Sequence, residues 1–277
     1  MTTGALIFAF DNENTKYLDL AAWSAERVKR FLDIPVAVVT NRPKAADSIF
    51  DHVIQSDSGD ANSKTFDDYG NRASWHNTKR TDAYELTPFE KTLVLDADFV
   101  VNSDMLSYYF HADVDFICHK DAFSIDQKDR EYLTDYNTFG AHRFPMWWAT
   151  VMLFRKSNTA AYIFDCMNMV RSNWKHYIDL YNIQSPMYRN DFALSIALGI
   201  VSGHTLSVDT FNFPLLTVLP TQRLECNEDE MWIATWEEQG RTKSSSFSGL
   251  DFHAMCKRDL GEIVEAHRRA RLCDSSS

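Results

Sequence analysis

The chain has 277 residues, 45% of them hydrophobic, and a formal net charge of −11. That content buries a sizeable core, while no apolar stretch reaches the ~18 residues of a membrane span. A surface of this sign repels polyanions on average, so bulk nucleic-acid binding gains no support. Five cysteines, an odd number without a C-x-x-C pair, fit reduced thiols and a cytoplasmic setting. The apolar opening lacks a basic n-region and is too short for a signal peptide. No Pro/Gly/Ser-rich linker interrupts the chain. One domain over 1–277 is therefore expected, with halves at about 1–120 and 121–260 and a C-terminal helix and tail at 259–277.

Residues 5–10 read as a buried first strand, followed by the polar turn Asp11-Asn12-Glu13-Asn14 with Asn14 or Thr15 as a helix cap. Tyr17, Ala21, Ala25, Val28 and Leu32 recur at helical spacing, and residues 36–39 give a second strand. Strand, helix, strand is a βαβ opening. It predicts an α/β fold with a mostly parallel central sheet flanked by helices and a ligand crevice at the strand tips. Val53 and Ile54 suit a short third strand. Residues 56–77, with Asp67, Asp68 and Gly70, read as a polar excursion over the site. Lys79 and Arg80 then precede a helix through Tyr84 and Leu86, placed to face an anionic ligand.

The centre of the sequence is TLVLDADFVVNSD, residues 92–104. Thr92 to Leu95 carry no alternating polar position, which suits a strand buried on both faces. Asp96 and Asp98 follow at i and i+2, side by side in extended chain, with Cα atoms about 6.6 Å apart. Unpaired carboxylates at the end of a buried strand are costly, and two so placed can share a hard divalent cation. A second copy, Asp113-Val114-Asp115, reads as solvated loop. Ser103 or Asp104 caps a helix through Phe110, residues 115–119 form a strand, and residues 121–143 suit a lid. Residues 146–154 form another strand. A single long helix spans Phe164, Met167, Val170, Trp174 and Tyr181. Asn190-Asp191 caps a helix over 192–200, short β pieces fill 207–219, and a last helix runs from about Asp259. His267, Arg268, Arg269 and Arg271 complement its dipole.

Together these motifs resemble glycosyltransferase family 8, metal-dependent enzymes of the GT-A fold that include bacterial galactosyltransferases and glycogenin. The resemblance covers roughly residues 5–260. Phe10, Asp11, Asn12 and Tyr17 are similar to its nucleotide-base turn. Lys79 or Arg80 matches its diphosphate-facing basic residue, and Leu95-Asp96-Ala97-Asp98 its Asp-x-Asp strand. His253 to Lys257 is similar to a late H-x-x-G-x-K region, here without the glycine. The resemblance implies Asp96, Asp98 and His253 as metal ligands, with Asp96 and Lys257 also at the nucleotide. It places Asp191 and Arg80 in catalysis, and Trp148, Thr150, Asn190 and Asp191 in the donor-sugar or acceptor pocket. Two carboxylates and a neutral imidazole suit Mn²⁺, with Mg²⁺ second.

The implied reaction moves a sugar from a nucleotide-diphosphate donor, a UDP-sugar by expectation, with retention. A metal and a basic residue would offset the leaving charge. The acceptor stays open among a glycan, a protein, a metabolite and a modified DNA base, since phage enzymes of similar build glycosylate DNA. A second reading is a haloacid-dehalogenase-type phosphatase using Asp96 and Asp98, and a third is a non-catalytic binding domain. A nucleotidyltransferase needs a Gly-rich phosphate loop, which residues 11–15 lack.

Overall fold

The computed structural model describes residues 2–59, 62–65, 72–126, 138–184, 187–205, 208–227 and 230–274. The elements that position the site are β1 (Thr3–Phe8), α1 (Tyr17–Leu32), β2 (Val36–Thr40), β3 (His52–Gln55), β4 (Lys91–Leu95), β5 (Phe99–Val100), β6 (Phe116–His119), β7 (Ala122–Ser124), β8 (Trp148–Arg155), α2 (Asn158–Ser172), α3 (Asn190–Val201), β9 (Leu215–Val218), β10 (Phe252–Ala254) and α4 (Lys257–Asp274). The fold is mixed α/β with a mostly parallel central sheet, ordered β3-β2-β1-β4-β8-β6. β3, β2, β1 and β4 run parallel, while β8 is antiparallel to both its neighbours.

Side-chain alternation assigns the two faces of this sheet. Ala5, Ile7, Leu93 and Leu95 enter one apolar cluster with Trp23 and Val28 of α1. Leu6, Val94 and Met152 enter the other with Phe164 and Met167 of α2. Both faces are covered, which explains why β4 carries no polar alternation. Its first residue, Lys91, is fully buried, and its ammonium donates to the carbonyls of Phe110 at 2.9 Å and Ala112 at 2.7 Å. A buried cation is tolerated there because backbone oxygens replace its water.

A second sheet, ordered β5-β10-β9-β7, stands beside the first. A three-stranded antiparallel sheet of Arg223–Cys226, Trp232–Glu238 and Arg241–Phe247 was not expected from the sequence. The excursion expected over 56–77 contains a paired ribbon, Asn62–Thr65 with Arg72–Trp75, while Asp67, Asp68 and Gly70 lie outside the described residues. Residues 127–137 of the expected lid lie outside them too, while its described ends carry β7 and the ribbon Thr138–Phe139 with Phe144–Pro145.

Several boundaries differ from the sequence reading. The long helix is two helices, Asn158–Ser172 and Trp174–Tyr181, broken at Asn173, whose amide nitrogen turns back on Met169 and Val170. Residues 78–86 form a 3₁₀ turn and one short α-turn rather than a longer helix. Neither Asn14 nor Thr15 caps α1. Asp11 reaches forward instead, accepting the Leu18 amide at 2.9 Å. Three of the four basic residues expected at the helix end pair with α1, and Arg269 pairs within α4 with Glu265 at 3.1 Å. Arg268 meets Asp19 at 2.7 Å, and Arg271 and His267 both meet Glu26.

Candidate active site

In the β1–β4 pairing Ile7 lies opposite Leu95. The residues leaving both strands therefore open on the same sheet edge, where ligands bind in α/β folds. Phe10 leaves β1 there, and Asp96 leaves β4. Asp98 turns inward and is 3% exposed. The second sheet supplies its partner. β10 runs antiparallel to β5, with His253 opposite Phe99, and the Ala254 amide donates to the Asp98 carbonyl at 3.0 Å. His253 Nε2 consequently stands 3.3 Å from Asp98 Oδ1. Asp96, Asp98 and His253 each offer a ligand atom, all within 4.8 Å of one another.

Cations surround this acidic centre. Arg80, buried, donates through Nη1 to Asp96 and through Nη2 to the Thr150 carbonyl at 2.9 Å. Burial lowers its guanidinium to about 10, partly offset by Asp191 and Asp98. Lys257, at the start of α4, pairs with Asp98 and lies over the Tyr17 ring at 5.5 Å. Burial alone would raise the Asp98 carboxyl, but Lys257 and His253 outweigh it and hold it well below the usual carboxylate range. Asp251, two residues before His253, accepts from the amides of Asn102 at 2.6 Å and Ser103 at 2.8 Å. Burial pushes its carboxyl up to about 6 against those donors. This clasp ties the chain leaving β5 to the residue that leads into β10.

A cleft of about 1130 Å³, open mouth included, joins these groups to Phe8, Phe10 and Tyr17 on one side and to Trp75, His76 and Asn77 on another. Of the residues singled out from sequence, Phe10, Tyr17, Arg80, Asp96, Asp98, Thr150, Asn190, Asp191, His253 and Lys257 line it.

Four others do not line the cleft. Asp11 holds the α1 amide and pairs with Arg42 at 2.6 Å. Asn12 builds its own turn, accepting the amides of Asn14 and Thr15 and donating to the Ser74 carbonyl at 2.7 Å. Lys79 pairs with Asp57 at 3.2 Å and lies 3.7 Å from Asp82. Trp148 is fully buried in the core, and Ala149 and Thr150 take the cleft side. A register shift between β8 and β6, from Trp148 to Met152, accounts for this. Asp113 and Asp115, the second acidic pair, are both held by Arg155 away from the cleft.

Asp191 does not cap α3, whose N-cap is Arg189. Its Oδ1 accepts the Ala149 amide at 2.9 Å and its Oδ2 lies 3.3 Å from Arg189 Nη2. Asn190 donates to the Asn77 carbonyl at 3.0 Å. The sequence reading assigned no role to Arg189, His76, Pro220 or Met255, all of which line the cleft. Arg189 stood next to an assigned residue, which was the one signal available.

No protein-family model and no curated protein matches the chain. Among solved structures it is similar to glycosyltransferases. One is the galactosyltransferase LgtC, solved with donor and acceptor sugar analogues, at 16% identity, 76% of this chain, 73% of that chain and a TM-score of 0.45. Mouse xyloside xylosyltransferase 1, in its apo form, is similar at 12% identity over 77% of this chain and 85% of that one, TM-score 0.43. GlyE of Streptococcus pneumoniae is similar at 10% identity over 76% of this chain and 45% of that one, TM-score 0.39. These are loose likenesses, and the functional reading rests on the cleft itself.

Proposed function

We propose that the cleft binds a nucleotide-diphosphate sugar, a UDP-sugar, and transfers its sugar to an acceptor. The observation that carries this is the convergence of two carboxylates and an imidazole within 4.8 Å, flanked by Arg80 and Lys257. Two carboxylate oxygens and one imidazole nitrogen are a donor set that Mn²⁺ accepts well and Mg²⁺ accepts less readily. Asp96, Asp98 and His253 would hold the ion, which when bound supplies Lewis acidity at the diphosphate.

The protein's own residues do the rest. Arg80 and Lys257 bring fixed positive charge to where the leaving diphosphate gathers its negative charge. Tyr17, half-buried at the start of α1, offers a ring face for the base beside the buried, cleft-lining Phe10, and Asn190 and Asp191 close the sugar end. Each cleft carboxylate is already engaged: Asp96 by Arg80, Asp98 by Lys257 and His253, Asp191 by Ala149 and Arg189. No residue stands out as a covalent nucleophile, so if the transfer proceeds with retention the leaving phosphate would accept the acceptor's proton. A phosphatase of the haloacid-dehalogenase type carries its Asp pair on an early strand that opens the domain, whereas here β1, α1 and β2 precede it.

The chain is read as one domain because both sheets contribute to one cleft. Cys118, Cys166, Cys226 and Cys256 are free thiols, which supports a cytoplasmic setting. No helix among the described residues is long and apolar enough to cross a membrane. The test is a panel of sugar nucleotides scored by thermal shift with and without Mn²⁺. The reading requires metal-dependent stabilisation by a UDP-sugar. A shift confined to phosphomonoesters would favour the phosphatase instead.

A further inference from the structure

Building on the nucleotide-sugar reading, we propose that Arg189 is a subsite for a carboxylate carried by one of the two sugars, donor or acceptor. Arg189 lines the cleft as the N-cap residue of α3, with its side chain 18% exposed. Its Nη2 lies 3.3 Å from Asp191 Oδ2, and among the described residues Nε and Nη1 have no partner. Asp191 is fixed in turn by the Ala149 amide. The carboxylate thus aims the guanidinium and leaves donors over.

The other cations of the cleft are differently committed. Arg80 is engaged by Asp96 and by the Thr150 carbonyl, and Lys257 by Asp98. Both sit at the acidic centre, where the diphosphate is read to bind. Arg189 belongs to the sugar end, beside Asn190 and Asp191. A guanidinium presents N–H groups in a planar fork that fits a carboxylate with two parallel hydrogen bonds, whereas a hydroxyl takes one. A neutral sugar hydroxyl would engage only one arm of that fork and leave the other to water.

Calorimetry on the purified full chain with Mn²⁺ tests this. UDP-glucuronate is compared with UDP-glucose and, with UDP saturating, methyl glucuronoside with methyl glucoside. In one of the two pairs the uronate should bind at least about tenfold tighter, about 1.4 kcal/mol, and the pair that shows it identifies which sugar carries the charge. That ratio should collapse towards one in Arg189→Met and survive in part in Arg189→Lys, which keeps the charge but not the fork. Equal affinities in both pairs for wild type overturn the inference, and so does a uronate preference that persists in Arg189→Met. The wild-type comparison decides even where a variant folds poorly. Failure of UDP itself to bind wild type would instead defeat the nucleotide-sugar reading, and this subsite with it.

Discussion

Lys257 forms an ion pair with Asp98 at the bottom of the cleft, where the Asp98 side chain is 4% exposed. The pair joins the start of α4 to the turn after β4, and His253 shares the same carboxylate. Removing Asp98 therefore does two separable things. It deletes a metal ligand, and it strands a cation.

Asp98→Ala is expected to abolish metal-dependent binding and to destabilise the fold by about 3 kcal/mol, the lower range for breaking a buried pair. The double variant Asp98→Ala/Lys257→Met should recover much of the stability and none of the metal affinity. Melting curves and Mn²⁺ titration read the two effects independently. Recovery of metal binding in the double variant would show that Asp98 is no ligand. Asp113→Ala, whose side chain is 89% exposed, should change neither.

Nucleotide affinity and turn stability should separate at the tip of β1. Phe10 lines the cleft but is buried, so Phe10→Leu, which keeps the core filled, is expected to weaken UDP by about tenfold, within the ~1–3 kcal/mol of base stacking on an aromatic ring. The Asn12 side chain makes two hydrogen bonds within the turn and a third to the Ser74 carbonyl. Asn12→Ala should mainly lower the melting temperature, at about 1 kcal/mol per bond. Calorimetry with UDP and thermal melts of both variants decide it, and the opposite pattern would move the base away from Phe10.

His119 gives the fold an acid-sensitive element. It is 1% exposed, packs on the rings of Phe211 and Phe213, and meets the Phe213 carbonyl at 3.1 Å through Nδ1. Burial lowers its imidazole to about 4, against a small opposing contribution from that hydrogen bond. Unfolded, it takes up a proton below about pH 6.5, while the folded chain takes it up only near 4. The native state thus binds fewer protons between those values, and stability is lost as pH falls from about 6.5 to about 4. The loss is about 3 kcal/mol at 1.36 kcal/mol per unit. Urea denaturation at pH 4.5 and 7 should show a smaller drop for His119→Gln than for wild type. An identical drop would mean His119 is protonated in the folded protein.

How far the sequence reveals this arrangement depends on how local each cause is. The unbroken apolar run of β4 announces a strand covered on both faces, and the carboxylates that end it stand out for that reason. The resemblance narrows the basic partner to Lys79 or Arg80, and the fold brings Arg80, 16 residues before Asp96, to it. Other features have causes outside their own segment. Asn173 breaks a helix whose apolar stripe continues past it, so periodicity alone reads one helix. Trp148 leaves the cleft because β8 shifts register against β6, a property of the pair of strands. The strand Arg241–Phe247 is exposed at most of its positions and offers no hydrophobic alternation to read. Arg189 becomes a cleft residue only when α3 docks against Ala149.

The pairing of β10 with β5 has a kinetic consequence. Asp98 and His253 are brought together by a backbone contact between segments far apart in the chain, and such closures carry a large entropic cost on the way to the native state. If that pairing forms after the rate-limiting step, a bound divalent ion stabilises the native state without stabilising the barrier. Mn²⁺ should then slow unfolding while leaving the refolding rate nearly unchanged. Stopped-flow refolding and unfolding with and without the ion measure this directly. Faster refolding with Mn²⁺ would instead place the β5–β10 contact inside the folding nucleus, with the two ligands already together when the rest of the chain condenses.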